Sequence, residues 1–274
     1  MLTRFPHDVK SKSEQRVEGG DGMRHEKIGN CDLYLGDCAE VMPRLQSVDA
    51  IITDPPYVGL KGNVEHLRGG VGPHRVRTQT VGNLWDASHD WLTIAKPLAS
   101  RAIISFCGYA DVASLKNFSG LDGWLLTWFI RNSPASVNNA PWFKNEFIWV
   151  LKTGTASWRH LATVYDIPKI NAGCAGSPER ERNPDGTAAH PTQKPLALIQ
   201  QLILPEFQTI LDPFMGSGTA GVACVKMGRD FIGVESDPKH FELACKRIDR
   251  QVKQPDLFVT KADRAEQLSM IVEE

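Results

Sequence analysis

The residues with the most chemical content are Asp54-Pro55-Pro56-Tyr57, where two consecutive prolines separate a carboxylate from an aromatic ring. Proline fixes φ and lacks an N–H, so the pair stiffens the backbone and leaves the Pro55 carbonyl without a helix or sheet partner. A flat substrate with an exocyclic amine suits this arrangement: Asp54 and the Pro55 carbonyl accept its two hydrogens while Tyr57 stacks on its face. A sharp turn would also account for these four residues. The second cluster, Gly216-Ser217-Gly218-Thr219-Ala220-Gly221, matches GxGxxG, follows the apolar stretch ILDPF and precedes a helical one. Glu235 ends the next apolar run, where a carboxylate can accept hydrogen bonds from ribose hydroxyls. Taken alone, this turn also fits a nicotinamide-dependent oxidoreductase.

The elements that must carry these clusters follow from short apolar runs alternating with helical periodicity. Strands are expected at 32–35, 50–53, 101–106, 124–130, 147–151, 209–211 and 231–234, the pair 124–130 and 147–151 forming a late hairpin. Helices are expected at 39–45, 195–204, 218–227 and 238–252, with prolines at the first turns of the second and fourth. Such alternation implies an α/β fold whose mostly parallel sheet is covered on both faces. Asp54 then lies directly after a strand, at the carboxyl edge where parallel sheets bind ligands.

Composition narrows the classes. The chain has 274 residues, 42% of them hydrophobic, with 31 Lys and Arg against 32 Asp and Glu. That balance fits a globular protein and excludes disorder of the whole chain. The longest apolar run, 125–130, is far below the roughly 18 residues of a membrane span, so no membrane partner is expected. The opening residues MLTRFPHDVKSKSEQ contain no apolar stretch, and a cytoplasmic protein without a secretory leader is expected. Six cysteines form no CxxC pair and lie mostly in apolar segments, which points to buried thiols and no metal site. Residues 1–27 read as a mobile lead-in, 28–252 as the main domain and 253–274 as a polar tail. Two glycine-rich or polar stretches, 58–83 and 172–189, break the core pattern.

DPPY at 54–57, HPTQKP at 190–195 and DPFMGSGT at 212–219, in that order, resemble the β-group of amino DNA methyltransferases. LYLGD at 33–37 and GVESDPKHFELACKRI at 233–248 extend the resemblance over most of the chain. It implies a Rossmann-like methyltransferase fold with a seven-stranded sheet and circularly permuted motif order, the catalytic half preceding the half that binds S-adenosylmethionine. It also implies an enzyme that transfers a methyl group to an exocyclic amine in double-stranded DNA, with a homodimer as one candidate assembly. Asp at the head of the tetrapeptide points to N6 of adenine, with N4 of cytosine as the alternative. Asp54, Pro55, Pro56 and Tyr57 become the catalytic residues, the amine attacking the sulfonium methyl directly after the base has been flipped out of the duplex. The cofactor set is Asp37 for the adenine amine and Glu235 for the ribose, with Thr192 and Lys194 for the carboxylate. Asp212, Phe214, Gly216, Ser217, Gly218 and Thr219 complete it. Target recognition is expected in 131–189, a segment too short for a large separate domain.

Lys61, Arg68, Arg75 and Arg77 lie in the loop 58–83 immediately after the tetrapeptide, accompanied by a single glutamate and six glycines. Without an apolar face, such a loop is expected to be mobile alone and to grip phosphates around the flipped base. Replacing all four cations by Ala is expected to weaken DNA binding and flatten the slope of log affinity against log salt by up to about four units. Cofactor affinity stays unchanged. Binding isotherms across a salt series test this, and an unaltered slope would move the phosphate grip to Arg131, Lys144, Lys152 and Arg159.

Overall fold

The computed structural model describes residues 15–18, 23–56, 89–130, 145–168, 179–183, 189–190 and 192–254. Its sheet is built around five parallel strands: β3 (Cys31–Leu35), β4 (Val48–Thr53), β5 (Ala99–Cys107), β9 (Thr209–Asp212) and β10 (Asp230–Glu235). The antiparallel hairpin of β6 (Gly123–Phe129) and β7 (Asn145–Lys152) adds to β5 through β7. These seven strands, in the order β3-β10-β9-β4-β5-β7-β6, are the expected seven-stranded core. Three short strands extend it. β1 (Gln15–Glu18) and β2 (Arg24–Ile28) continue antiparallel from β3, and β8 (Val164–Asp166) pairs parallel with β6.

β1 and β2 correct the sequence reading. The lead-in assigned to residues 1–27 contains β1 and most of β2, whose sequence RHEKI has no apolar alternation and is half-buried. β2 pairs with both β1 and β3, but its charged sequence carries no apolar alternation, so hydrophobic periodicity misses it. Within 131–189 lie β7 and β8 of the main sheet. The loop 58–83, Tyr57 and the tail beyond residue 254 lie outside the described residues.

Helices cover both faces. On one, α1 (Cys38–Val41), α2 (Trp91–Ala95) and α3 (Val112–Ser119) pack over Ile51, Ile103, Leu211 and Val234. On the other, α4 (Leu196–Leu202), α5 (Thr219–Met227) and α6 (Pro238–Lys253) pack over Ala50, Ile52, Ile104, Ile210 and Phe231. Strands buried on both faces explain why their runs are continuously apolar rather than alternating. The expected helix 39–45 is shorter than its pattern, because Pro43 cannot donate the next helical hydrogen bond and the chain tightens into a 3-10 turn at Met42–Arg44. α2 and α3 had no counterpart in the sequence reading. Each is at most eight residues long, too short for a convincing period, and α3 stops at left-handed Gly120.

Two ionisable groups are carried into the interior where these layers meet. Burial pushes the Asp212 carboxyl up to about 7, against the opposing pull of hydrogen bonds from Thr53 and the Phe214 amide, and nearby Asp54 and Glu235 push it the same way as burial. Burial also pulls the His190 imidazole down to about 3, helped by His240, Lys194, Arg247 and Arg180. Folding tightens the proton on Asp212, so its contribution to stability is complete below about 4 and is lost as pH rises to about 7. The histidine behaves oppositely, its contribution being complete above about 6.5 and lost as pH falls toward 3. Between about 4 and 6.5 the two slopes oppose each other. In Asp212→Asn the carboxyl slope disappears, so the stability of the variant relative to wild type is expected to rise with pH by up to about 1 kcal/mol per unit between pH 4 and 7. Urea denaturation at pH 4, 5, 6 and 7 measures the difference.

Candidate active site

The four adjacent strands β3, β10, β9 and β4 end at one edge of the sheet, and each brings a carboxylate there. Asp37 follows β3, Glu235 closes β10, Asp212 closes β9 and Asp54 follows β4. At the usual strand spacing these ends span roughly 14 Å. Chain connections leave β4 and β9 in opposite directions along the sheet, β4 leading toward β5 and β9 toward β10, which is the topological switch where α/β sheets bind ligands.

Each carboxylate is held by local hydrogen bonds. Asp37 caps α1, its Oδ1 accepting from the Ala39 amide at 2.8 Å. Glu235 accepts from the Gly216 amide through Oε2 at 2.7 Å and from the Asp237 amide through Oε1 at 2.8 Å. Asp212 accepts from the Thr53 hydroxyl at 2.7 Å and from the Phe214 amide at 3.1 Å. Thr53 immediately precedes Asp54, so this bond ties the start of the Asp54-Pro55-Pro56-Tyr57 segment to the start of the glycine turn.

The turn itself runs from Pro213 to Gly218, with Met215 donating to the Val234 carbonyl and Gly218 to the Met215 carbonyl, both at 2.9 Å. Gly218 has φ +76°, and a Cβ there would meet Ala244 Cβ at 2.8 Å, so glycine is required both by the backbone and by the close approach of α6. Gly216 has φ +54°, and the Nε2 of His190 lies 3.0 Å from where its Cβ would be. Ser217 and Thr219 are buried and turned toward α6, where Arg247 donates to the Ser217 carbonyl at 2.5 Å and to both hydroxyls at 3.1 Å. Their side chains thus hold the turn's shape, and their remaining contribution at the edge comes from the backbone. Phe214 packs edge-on against buried Trp91 with ring centroids 5.7 Å apart.

Asp54 meets a cation that the sequence reading had assigned to the cofactor. Lys194 is 9% exposed. Its Nζ donates to Asp54 Oδ2 at 2.5 Å, lies 3.6 Å from Glu146 Oε2 on β7, and sits 4.9 Å from the Phe106 ring centroid. Burial draws its ammonium toward the neutral form, but Asp54 and Glu146 outweigh that and hold its pKa above the ordinary lysine value. Thr192 is exposed two residues away. Between them Gln193 is buried and clamps the segment to its neighbour, donating to the Glu179 carbonyl at 2.7 Å and accepting from the Glu181 amide at 3.3 Å. Pro55 is buried and Pro56 half-buried, while Tyr57, Lys61, Arg68, Arg75 and Arg77 lie outside the described residues.

Three participants had no role in the sequence reading. Arg247 carried a usable signal, because it interrupts the buried stripe of Phe241, Ala244, Cys245 and Ile248 on α6. His190 was quoted only as part of a motif, yet its ring lies beside Gly216 and edge-on to His240 with centroids 4.5 Å apart. Glu146 gave no signal at all, being one polar residue at the start of an apolar strand. The expectation of buried thiols holds for the described cysteines, as Cys31, Cys38, Cys107, Cys224 and Cys245 are all free and buried. None of the described helices is long and apolar enough to cross a membrane.

Comparison with known proteins agrees with this geometry. Residues 48–246 match the family model N6_N4_Mtase, described as DNA methylase. Type II methyltransferase M2.MboI of Moraxella bovis is 28% identical over 241 residues, covering 80% of this chain and 87% of its own length. Type II methyltransferase M.HinfI of Haemophilus influenzae is 28% identical over 266 residues, with coverage of 81% and 68%. Among solved structures, the M1.HpyAVI–SAM complex shares the fold at a TM-score of 0.57 and 24% identity, over 80% of this chain and 99% of the other. The PvuII cytosine-N4-specific DNA methyltransferase shares it at 0.59 and 16%, over 90% and 94%. The oxidoreductase reading of the glycine turn is set aside by these matches. Most of the chain, from β4 into α6, is thereby accounted for, and the protein belongs to the N6-adenine and N4-cytosine DNA methylase family, the β-group amino DNA methyltransferases, whose cofactor is S-adenosylmethionine.

Proposed function

We propose that the enzyme methylates the N6 amine of adenine at a specific sequence in double-stranded DNA, on a base flipped out of the helix. The observation that carries this reading is the position of Asp54 at the end of the row of carboxylates, one strand from the glycine turn and joined to it through Thr53 and Asp212. Aspartate rather than serine at the head of the tetrapeptide favours adenine over cytosine in this family.

The donor and acceptor set fits S-adenosylmethionine. Glu235 holds two backbone amides but each carboxylate oxygen has a second lone pair, so it can still accept from ribose hydroxyls. Asp37, one strand further out, is placed to accept from the adenine amine, and the glycine turn lets backbone approach the ribose and methionine closely. When bound, the cofactor supplies an electrophilic sulfonium methyl. Asp54 and the Pro55 carbonyl accept the two hydrogens of the target amine, drawing its lone pair out of conjugation and stabilising the positive charge that grows on nitrogen. Tyr57 stacks on the flipped base and offsets part of the few kcal/mol that unstacking costs. No covalent nucleophile is needed, and the described cysteines are buried with no part in the reaction.

Digesting methylated DNA to nucleosides and identifying the product by mass spectrometry tests the assignment: N6-methyladenine is expected, and N4-methylcytosine would overturn the choice of base. Asp54→Ala is expected to lower the methyl-transfer rate by about 10² to 10³ with cofactor affinity nearly unchanged. Glu235→Ala should do the reverse, weakening calorimetric affinity for S-adenosylmethionine while saturated turnover stays largely intact. An unchanged affinity would move the ribose away from β10.

A further inference from the structure

We propose that Lys194 and Glu146 are positioning residues that aim Asp54 at the target amine, an inference that rests on Asp54 being the catalytic acceptor. Four elements converge on the lysine: the segment after β4 with Asp54, β5 with Phe106, β7 with Glu146, and the run that leads into α4 with Lys194 itself. The two prolines fix the backbone beside Asp54 but leave its side-chain torsions unrestrained. A contact of 2.5 Å from the ammonium to Oδ2 restrains the carboxylate. Glu146 Oε2 at 3.6 Å and the Phe106 ring at 4.9 Å are further partners of the same ammonium and help to hold it in place beside Asp54. Misplacing a reacting group by about 1 Å can cost on the order of 100-fold in rate, so such a restraint has catalytic value.

This geometry also argues against the cofactor's carboxylate as the partner of Lys194. The lysine already stands between two carboxylates, and the cluster carries a net charge of about −1 when all three groups are ionised. A third carboxylate would add repulsion from both neighbours. Removing the lysine has a distinctive electrostatic result, because Asp54 and Glu146 are then left without the cation between them and a shared proton becomes favourable. The other ionisable groups facing the cluster are Cys107 on β5, Asp212 on β9 and His190 beside the glycine turn. All three are retained in every variant below, so they cancel in the comparison.

The test uses the full chain, unmethylated genomic DNA and tritiated S-adenosylmethionine, reading single-turnover rate from pH 5.5 to 9 beside calorimetric cofactor affinity. Lys194→Met is expected to lower the rate about 10- to 100-fold at neutral pH. Its acid limb should move up by about one unit, with cofactor affinity within about twofold of wild type. In Lys194→Met/Glu146→Gln the like charge is gone, so the acid limb returns toward its wild-type position and part of the rate is regained. Loss of cofactor affinity with saturated rate intact would overturn the proposal in favour of a carboxylate-binding lysine. A wild-type rate in Lys194→Met, or a fall in rate with neither a moved acid limb nor rescue by the second substitution, would also overturn it. If Lys194→Met does not fold, Glu146→Gln carries the test alone: the acid limb should move down with cofactor affinity unchanged, and an unmoved limb sinks the idea. Asp54→Ala runs in parallel, and full activity there would refute the catalytic assignment of Asp54 itself.

Discussion

The parallel pairing of β4 with β9 is the contact on which the rest of the site depends. It is short, with Ala50 opposite Ile210 and Ile51 opposite Leu211, yet it joins two motifs whose linked residues, Thr53 and Asp212, are 159 positions apart in the chain. A shift of register by one residue would turn every side chain of the strand to the other face, exchanging Ile51 and Ile52 between the two cores. The same shift would separate the Thr53 hydroxyl from Asp212. Apolar packing on both faces therefore sets the geometry at the edge, and the hydrogen bond between the two motifs marks the register as correct.

Four carboxylates at one edge are an electrostatic burden for a folded protein. The structure disperses it by giving each a different kind of partner: a helix amide for Asp37, two turn amides for Glu235, a hydroxyl and an amide for Asp212, and an ammonium for Asp54. Hydrogen bonding and ion pairing hold these groups in place without adding apolar burial, and the edge remains rich in acceptors. Asp212 is the exception, buried deeply enough that its proton affinity rises toward neutrality. Sites built for function commonly keep such locally unfavourable features and rely on the surrounding core for stability.

Much of this was legible in the sequence because parallel strands advertise themselves as apolar runs and glycines mark turns with left-handed backbone. The seven core strands, the late hairpin, α4, α5 and α6 all fall where those signals placed them, α6 starting at the Asp237 cap followed by Pro238. What escaped was either short or decided by tertiary contact. β2 is a charged strand between β1 and β3, β8 is a three-residue edge strand, and α2 and α3 have too few turns to show a period. The partner of Lys194 could not be read from HPTQKP, because it is chosen by a residue on β7 and another after β4 that only the folded sheet brings within reach.

The permuted strand order also governs how the chain comes together during synthesis. β9 and β10 sit between β3 and β4 in the sheet but are made long after both. Until about residue 235 has left the ribosome, β3 and β4 each keep an inner edge whose backbone groups lack their final neighbour, and the centre of the sheet is a gap two strands wide. Arg247, which anchors the glycine turn, emerges later still. A nascent chain can therefore expose residues 54–57 before the glycine turn exists, and the edge that joins the two motifs is completed only when the last two strands slot into the middle of what was made first.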